Sequence, residues 1–177
     1  MIPPAAPPPE RLTLDRLASP VGVVQLAVDE TGALRMLEFD ADSPRARKLM
    51  ARHFAGVPTT AGTAPAAIRR ALEAYFAGQL TALAAIPVRL GGTDFQRRVW
   101  TALTDIPPGV TESYGALAAR IGQPRAVRAV GLANGANPVG IVIPCRRVIG
   151  ADGALTGYGG GLERKRWLLA HEGALAA

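Results

Sequence analysis

One cysteine stands in the 177 residues, Cys145, inside the run Ile143-Pro144-Cys145-Arg146-Arg147-Val148-Ile149. A lone thiol forms no internal disulfide, and one Cys cannot build a cysteine-rich zinc site. Two readings remain. Free cysteine is commonly a small buried apolar side chain, or it is a nucleophile in its thiolate form. The two guanidiniums that follow Cys145 directly favour the second, because nearby positive charge stabilises the thiolate. Taken alone, the run leaves both open.

The elements that position this thiol follow from pattern and charge. The net charge is +6, and residues 93–177 carry ten Lys and Arg against six Asp and Glu. A basic C-terminal half suggests a polyanionic partner such as nucleic acid. No apolar run approaches the ~20 residues of a membrane span. The start, Met1 to Pro9, lacks the regions of a signal peptide, so a cytoplasmic location is expected. Its prolines suggest a disordered tail over residues 1–10. Val21 to Val28 and Ala33 to Phe39 read as strands of a hairpin about the turn Asp29-Glu30-Thr31-Gly32. Ser43 to Phe54 reads as a helix, with His53 on its surface and no neighbour to share a metal. Thr60 to Thr63 reads as a loop, Pro65 to Ala77 as a helix, and Ile86 to Leu90 as a short strand ended by Gly91-Gly92. A domain boundary is expected there.

Three helices follow: Phe95 to Leu103, Ser113 to Ile121 and Pro124 to Asn134, separated by Ile106-Pro107-Pro108-Gly109 and by Gly122. That succession is a helix-turn-helix signal. The third helix carries Ala126, Ala129, Gly131 and Ala133, with Arg125 and Arg128 projecting from it. Small residues permit close approach to another backbone, and a long cation beside them can reach between bases. A plain Ala-rich core helix with two solvated arginines is the alternative.

The C-terminal half resembles the O6-alkylguanine-DNA alkyltransferases, also called methylated-DNA–protein-cysteine methyltransferases. The matching residues include Phe95-Gln96, Val99-Trp100, Ser113-Tyr114-Gly115, Arg128-Ala129-Val130-Gly131 and Ala133-Asn134-Gly135. They continue through Asn137-Pro138, Ile143-Pro144-Cys145, Arg147-Val148-Ile149-Gly150, Gly157-Tyr158, Gly160-Gly161-Leu162 and Glu172-Gly173. The likeness spans roughly residues 86–175. It implies an α/β (α+β) fold. A small ribonuclease H-like domain on an antiparallel sheet would occupy residues 11–90. A winged helix-turn-helix domain would occupy residues 91–177.

The resemblance also implies a suicide reaction on double-stranded DNA. The protein would enter the minor groove, flip O6-alkylguanine out of the stack and keep the alkyl group on its thiol. No cofactor, metal or membrane is involved, and the protein acts as a monomer. O4-alkylthymine stays open as a second substrate. On this resemblance Cys145 is the acceptor and Arg128 fills the gap left by the flipped base. Arg125, Ala126, Ala129, Gly131 and Ser113 meet the DNA. Tyr114 contacts phosphate and delivers a proton to the leaving guanine. Asn137 braces the turn before the site, and Val148, Tyr158, Gly159 and Gly160 line the pocket.

At position 146 the chain leaves the pattern. The family reads Pro-Cys-His-Arg-Val, and Arg146 replaces the His that a Glu, matched by Glu172, holds as the helper base. Arginine stays protonated and has no lone pair to offer. What Arg146 supplies is charge, with Glu172 expected to anchor it bidentately. A standing thiolate would then replace one formed on demand. The competing reading is a non-enzymatic binder that flags the lesion for another pathway. The retained cysteine favours the enzyme, and a cysteine hydrolase is disfavoured because no His adjoins the thiol.

Overall fold

A computed structural model describes residues 3–176, which divide into two compact units. Of the described residues, the N-terminal unit comprises Ala5–Gly92 and Pro138–Val142, and the C-terminal unit 3–4, Thr93–Asn137 and 143–176. The division thus falls after Gly92, and it moves Pro138–Val142, expected in the second domain, into the first.

The N-terminal unit is built on four strands, β1 (Leu12–Leu17), β2 (Val24–Asp29), β3 (Leu34–Phe39) and β4 (Thr59–Ala61), in the order β3-β2-β1-β4. The expected hairpin is β2 and β3. Its turn is set by Asp29, whose Oδ1 accepts from Thr31 N, Thr31 Oγ1 and Ala33 N, an Asx turn closed by Gly32 at φ 83°. β2 begins later than the apolar run because Ser19 and Gly22 close a turn through mutual backbone bonds. β1 was not anticipated, since Asp15 and Arg16 interrupt its apolar pattern. β4 replaces the expected loop, pairs parallel with β1 and is wholly exposed, so no burial pattern marks it.

Two helices, α1 (Pro44–Phe54) and α2 (Ala66–Phe76), complete this unit. The Ser43 hydroxyl caps α1 by accepting from Ala46 N at 3.1 Å. Leu49 and Phe54 of α1 bury against Leu12, Ala27 and Met36 of the sheet. His53, expected on the surface, is half-buried against Phe54, with ring centroids 6.0 Å apart. The expected strand at Ile86 to Leu90 reduces to a bridge between Val88 and Leu34, because Pro87 has no N–H to donate. Pro138–Val142 runs along β3, where Leu37 donates to Pro138 O and accepts from Gly140 N, both at 3.0 Å. The proline-rich start, expected to be a disordered tail, is tied to the N-terminal unit by two hydrogen bonds. Ala6 N donates to Leu90 O at 2.7 Å and Arg35 Nη2 to Pro7 O at 3.0 Å.

The C-terminal unit starts with α3 (Asp94–Thr104), opened by a capping box between Thr93 and Gln96. Val99, Trp100 and Leu103 form its buried face, and Trp100 Nε1 donates to Ala133 O at 2.8 Å. Next come β5 (Glu112–Ser113), α4 (Tyr114–Arg120) and α5 (Val127–Gly135). A 3₁₀ turn over Cys145–Arg147 leads into β6 (Val148–Ile149), which pairs parallel with β5. The unit ends with α6 (Leu162–His171). The expected third helix starts later than Pro124. Gln123 O accepts from Ala126 N, so Arg125 lies in the turn and Ala126 is the N-cap.

Candidate active site

The approach to Cys145 is set by two tight turns. Ile141 is buried and holds φ 65°, and Val142 N donates to Gly140 O at 2.7 Å. A β-branched residue at positive φ costs about 1–3 kcal/mol and persists where its surroundings dictate it. Three residues on, Pro144 sits at φ −83°, ψ 58° beneath a bond from Cys145 N to Ile143 O, an inverse γ-turn. Asn137 Nδ2 donates to Ile143 O at 3.0 Å, and Asn134 Nδ2 to Cys145 O at 3.3 Å. These two buried amides fix the backbone on which the thiol is carried.

Cys145 is buried, as are Arg146, Arg147, Lys165 and Glu172. Glu172 takes both arginines. Arg146 bonds Oε1 through Nε and Nη2. Arg147 bonds Oε2 through Nε at 3.0 Å and Oε1 through Nη2 at 2.7 Å. Arg147 thus spans both carboxylate oxygens, and its Nη1 also donates to Ile106 O at 2.5 Å. Burial pushes Glu172 up, but hydrogen bonds from Arg147 and the charge of Arg146 outweigh it and hold the carboxyl at about 2, against an ordinary 4.5.

Sequence reading missed Lys165. Its Nζ donates to Val148 O at 2.8 Å, Thr156 O at 3.0 Å and Gly157 O at 3.3 Å. Three carbonyls use all three protons of an ammonium. Burial lowers the Lys165 pKa, and the charge of Cys145 opposes that shift, so cation and thiolate stabilise each other. The lysine also fastens the Thr156–Gly157 loop to β6. Its signal was legible. Lys165, Leu168, Leu169 and Glu172 share the spacing of a buried helical stripe, and charged groups on such a stripe are seldom idle.

The remaining candidates fall into two groups. Tyr114 opens α4 and its hydroxyl donates to Thr156 O at 3.2 Å, on the loop that carries Tyr158, Gly159 and Gly160. Ser113 caps α4 by accepting from Ala116 N at 3.1 Å, so its hydroxyl already has a structural task. Val148 is buried beside the Lys165 ammonium. On α5, Arg128 and Ala129 are exposed, while a Cβ at Gly131 would lie 3.8 Å from the Tyr114 ring. Sequence reading also passed over Leu132, which is 70 % exposed on α5, and Val127 beside it. An exposed leucine next to a projecting arginine makes this helix face fit for contact rather than for solvent alone.

A helix-turn-helix joined to a thiol among buried cations defines a protein whose one nucleophile is built into a contact domain. Comparison with known proteins agrees with that class. Residues 94–174 match the family model for the 6-O-methylguanine DNA methyltransferase DNA binding domain, and residues 15–90 its ribonuclease-like domain. A methylated-DNA–protein-cysteine methyltransferase of Salmonella typhimurium is 46% identical over 93% of this chain and 98% of its own length. One from Mycolicibacterium paratuberculosis is 64% identical over 57% of this chain and 61% of its own. The crystal structure of Mycobacterium tuberculosis OGT in complex with DNA matches with TM-score 0.77 at 44% identity, covering 92% of this chain and 93% of that one. The chain belongs to the O6-methylguanine-DNA methyltransferase family.

Proposed function

We propose that this chain repairs DNA by direct reversal, moving the alkyl group of O6-alkylguanine onto Cys145 in a single turnover. The Cys145 sulfur attacks the alkyl carbon, the S–C bond forms as the C–O6 bond breaks, and the electron pair leaves on guanine. Tyr114 supplies the proton that neutralises the departing base. The observation that carries this reading is the burial of Cys145, on a turn braced by Asn134 and Asn137, in a unit that also buries the cations of Arg146, Arg147 and Lys165. A nucleophile so placed needs no base at position 146. Arg146 and Arg147 add two charges against the single carboxylate of Glu172. Asn137 keeps the turn in place. Val148, Tyr158, Gly159 and Gly160 form the wall against the base. Arg125, Ala126, Ala129, Gly131 and Ser113 belong to the helix-turn-helix surface that meets the duplex. No helix among the described residues is long and apolar enough to cross a membrane.

The test is intact-protein mass after mixing with a duplex containing O6-methylguanine. A stoichiometric gain of one methyl group is expected. Tight binding with no mass gain would instead make the chain a damage binder. A second outcome separates binding from chemistry. Arg128→Ala is expected to slow repair in a duplex by on the order of 100-fold, because a few kcal/mol of unstacking go uncompensated. Reaction with free O6-benzylguanine should be little changed, since no stack is opened. Equal losses on both substrates would remove Arg128 from the role of finger.

A further inference from the structure

The N-terminal unit holds a cationic cavity that the transfer reaction does not use. It encloses about 220 Å³, and its lining includes Arg35 from β3, Arg52 and His53 from the last turn of α1, and Arg89. Pro8 and Phe54 supply apolar wall. Among the described residues one carboxylate, Asp29, pairs with two of these three guanidiniums. Asp29 Oδ2 meets Arg35 at 3.1 Å and Arg89 at 3.5 Å, while its Oδ1 is committed to Thr31 and Ala33. Arg52 is exposed and makes no ion pair among the described residues. Arg35 is almost wholly buried, and its Nε has no acceptor. The surroundings therefore carry two uncompensated positive charges. The α1 C-terminus opposes them with only about half a negative charge.

We propose that this cavity is a binding site for a phosphate group, held by Arg35, Arg52 and Arg89 with His53 at its side. A doubly charged tetrahedral oxyanion matches the excess charge, and guanidinium forks match its oxygens. The half-buried His53 already senses the field. Burial first, then the charges of Arg52 and Arg35, hold its pKa below the ordinary 6.5. An anion in the cavity reverses that field, so binding and protonation of His53 favour each other reciprocally.

The chain has two histidines, His53 and His171, so imidazole resonances resolve the site directly. The experiment follows both by NMR across a pH titration, with inorganic phosphate added at constant ionic strength set by chloride. The His53 midpoint is expected to rise saturably with phosphate. Arg52→Ala, a change at an exposed side chain with no ion-pair partner, should weaken phosphate binding about tenfold, the loss of one charge-assisted hydrogen bond. Two further probes name the source. Saturation by a nucleoside monophosphate but not by a 5′-hydroxyl DNA duplex assigns the site to a free phosphomonoester. Saturation by the duplex assigns it to the nucleic-acid backbone. A His53 that responds to none of the three beyond the chloride control overturns the proposal.

Discussion

Cys145→Ala is expected to bind an O6-alkylguanine duplex and to take up no alkyl group at all, while the parent thiol reacts with small alkylating agents well into the acid side of an ordinary cysteine. The reason is the charge around the sulfur. Arg146 and Arg147 share Glu172 between them, whereas among the described residues Lys165 is met by carbonyl oxygens and makes no ion pair. The lysine is thus the less neutralised cation. Lys165→Met should raise the pH at which Cys145 becomes reactive by more than Arg146→Ala does. Arg146→Lys should sit close to the parent, because the charge survives. Each tenfold loss of thiolate near neutrality corresponds to about 1.4 kcal/mol of lost stabilisation. The measurement is the pH dependence of iodoacetamide alkylation in the four cysteine-bearing proteins. A parent thiol with an ordinary midpoint, and a fully active Lys165→Met, would sink the electrostatic account.

Much of this site was legible in the chain, and what was not has identifiable physical causes. The run around Cys145 and the helix-turn-helix are local signals, written in adjacent residues and in glycine and proline punctuation. Lys165 was missed because it stands among the charges of Glu163-Arg164-Lys165-Arg166, although its helical stripe with Leu168 and Leu169 was there to be read. Only the phase of α6, with Leu168 and Leu169 buried beside Lys165, turns it inward. Arg147 was read as a second charge near the thiol. That it joins Arg146 on Glu172 depends on the 3₁₀ turn at Cys145–Arg147, a tertiary outcome. Pro138–Val142 carries no local mark of the strand it joins. Its partner is Leu37 of β3, far away in sequence. His53 looked like a helix surface residue because the chain segments that enclose it, around Pro8 and Arg89, are remote from it.

Glu172→Gln is expected to cost the fold about 3–5 kcal/mol at neutral pH, the usual consequence of leaving buried charges without their partner. Two buried guanidiniums, Arg146 and Arg147, would lose the carboxylate they share. The amide retains a hydrogen-bond acceptor but no charge, so the loss is electrostatic rather than steric. The same carboxylate sets a pH dependence whose sign is fixed. Its folded pKa of about 2 lies below the ordinary 4.5, so its contribution is complete above about pH 4.5. That contribution, about 3 kcal/mol by linkage, is lost as pH falls toward 2. Asp15 and Asp29 are also held below their ordinary values, against burial, by hydrogen bonds to backbone and side chains. They add to the parent's acid sensitivity. The difference between parent and variant isolates Glu172, and it should be largest at neutral pH and shrink steadily below about pH 4.5. Urea unfolding of both proteins at several pH values measures it. Equal unfolding midpoints at neutral pH would show that the Arg146–Glu172–Arg147 cluster contributes nothing net to the fold. The buried charges would then serve the thiol alone.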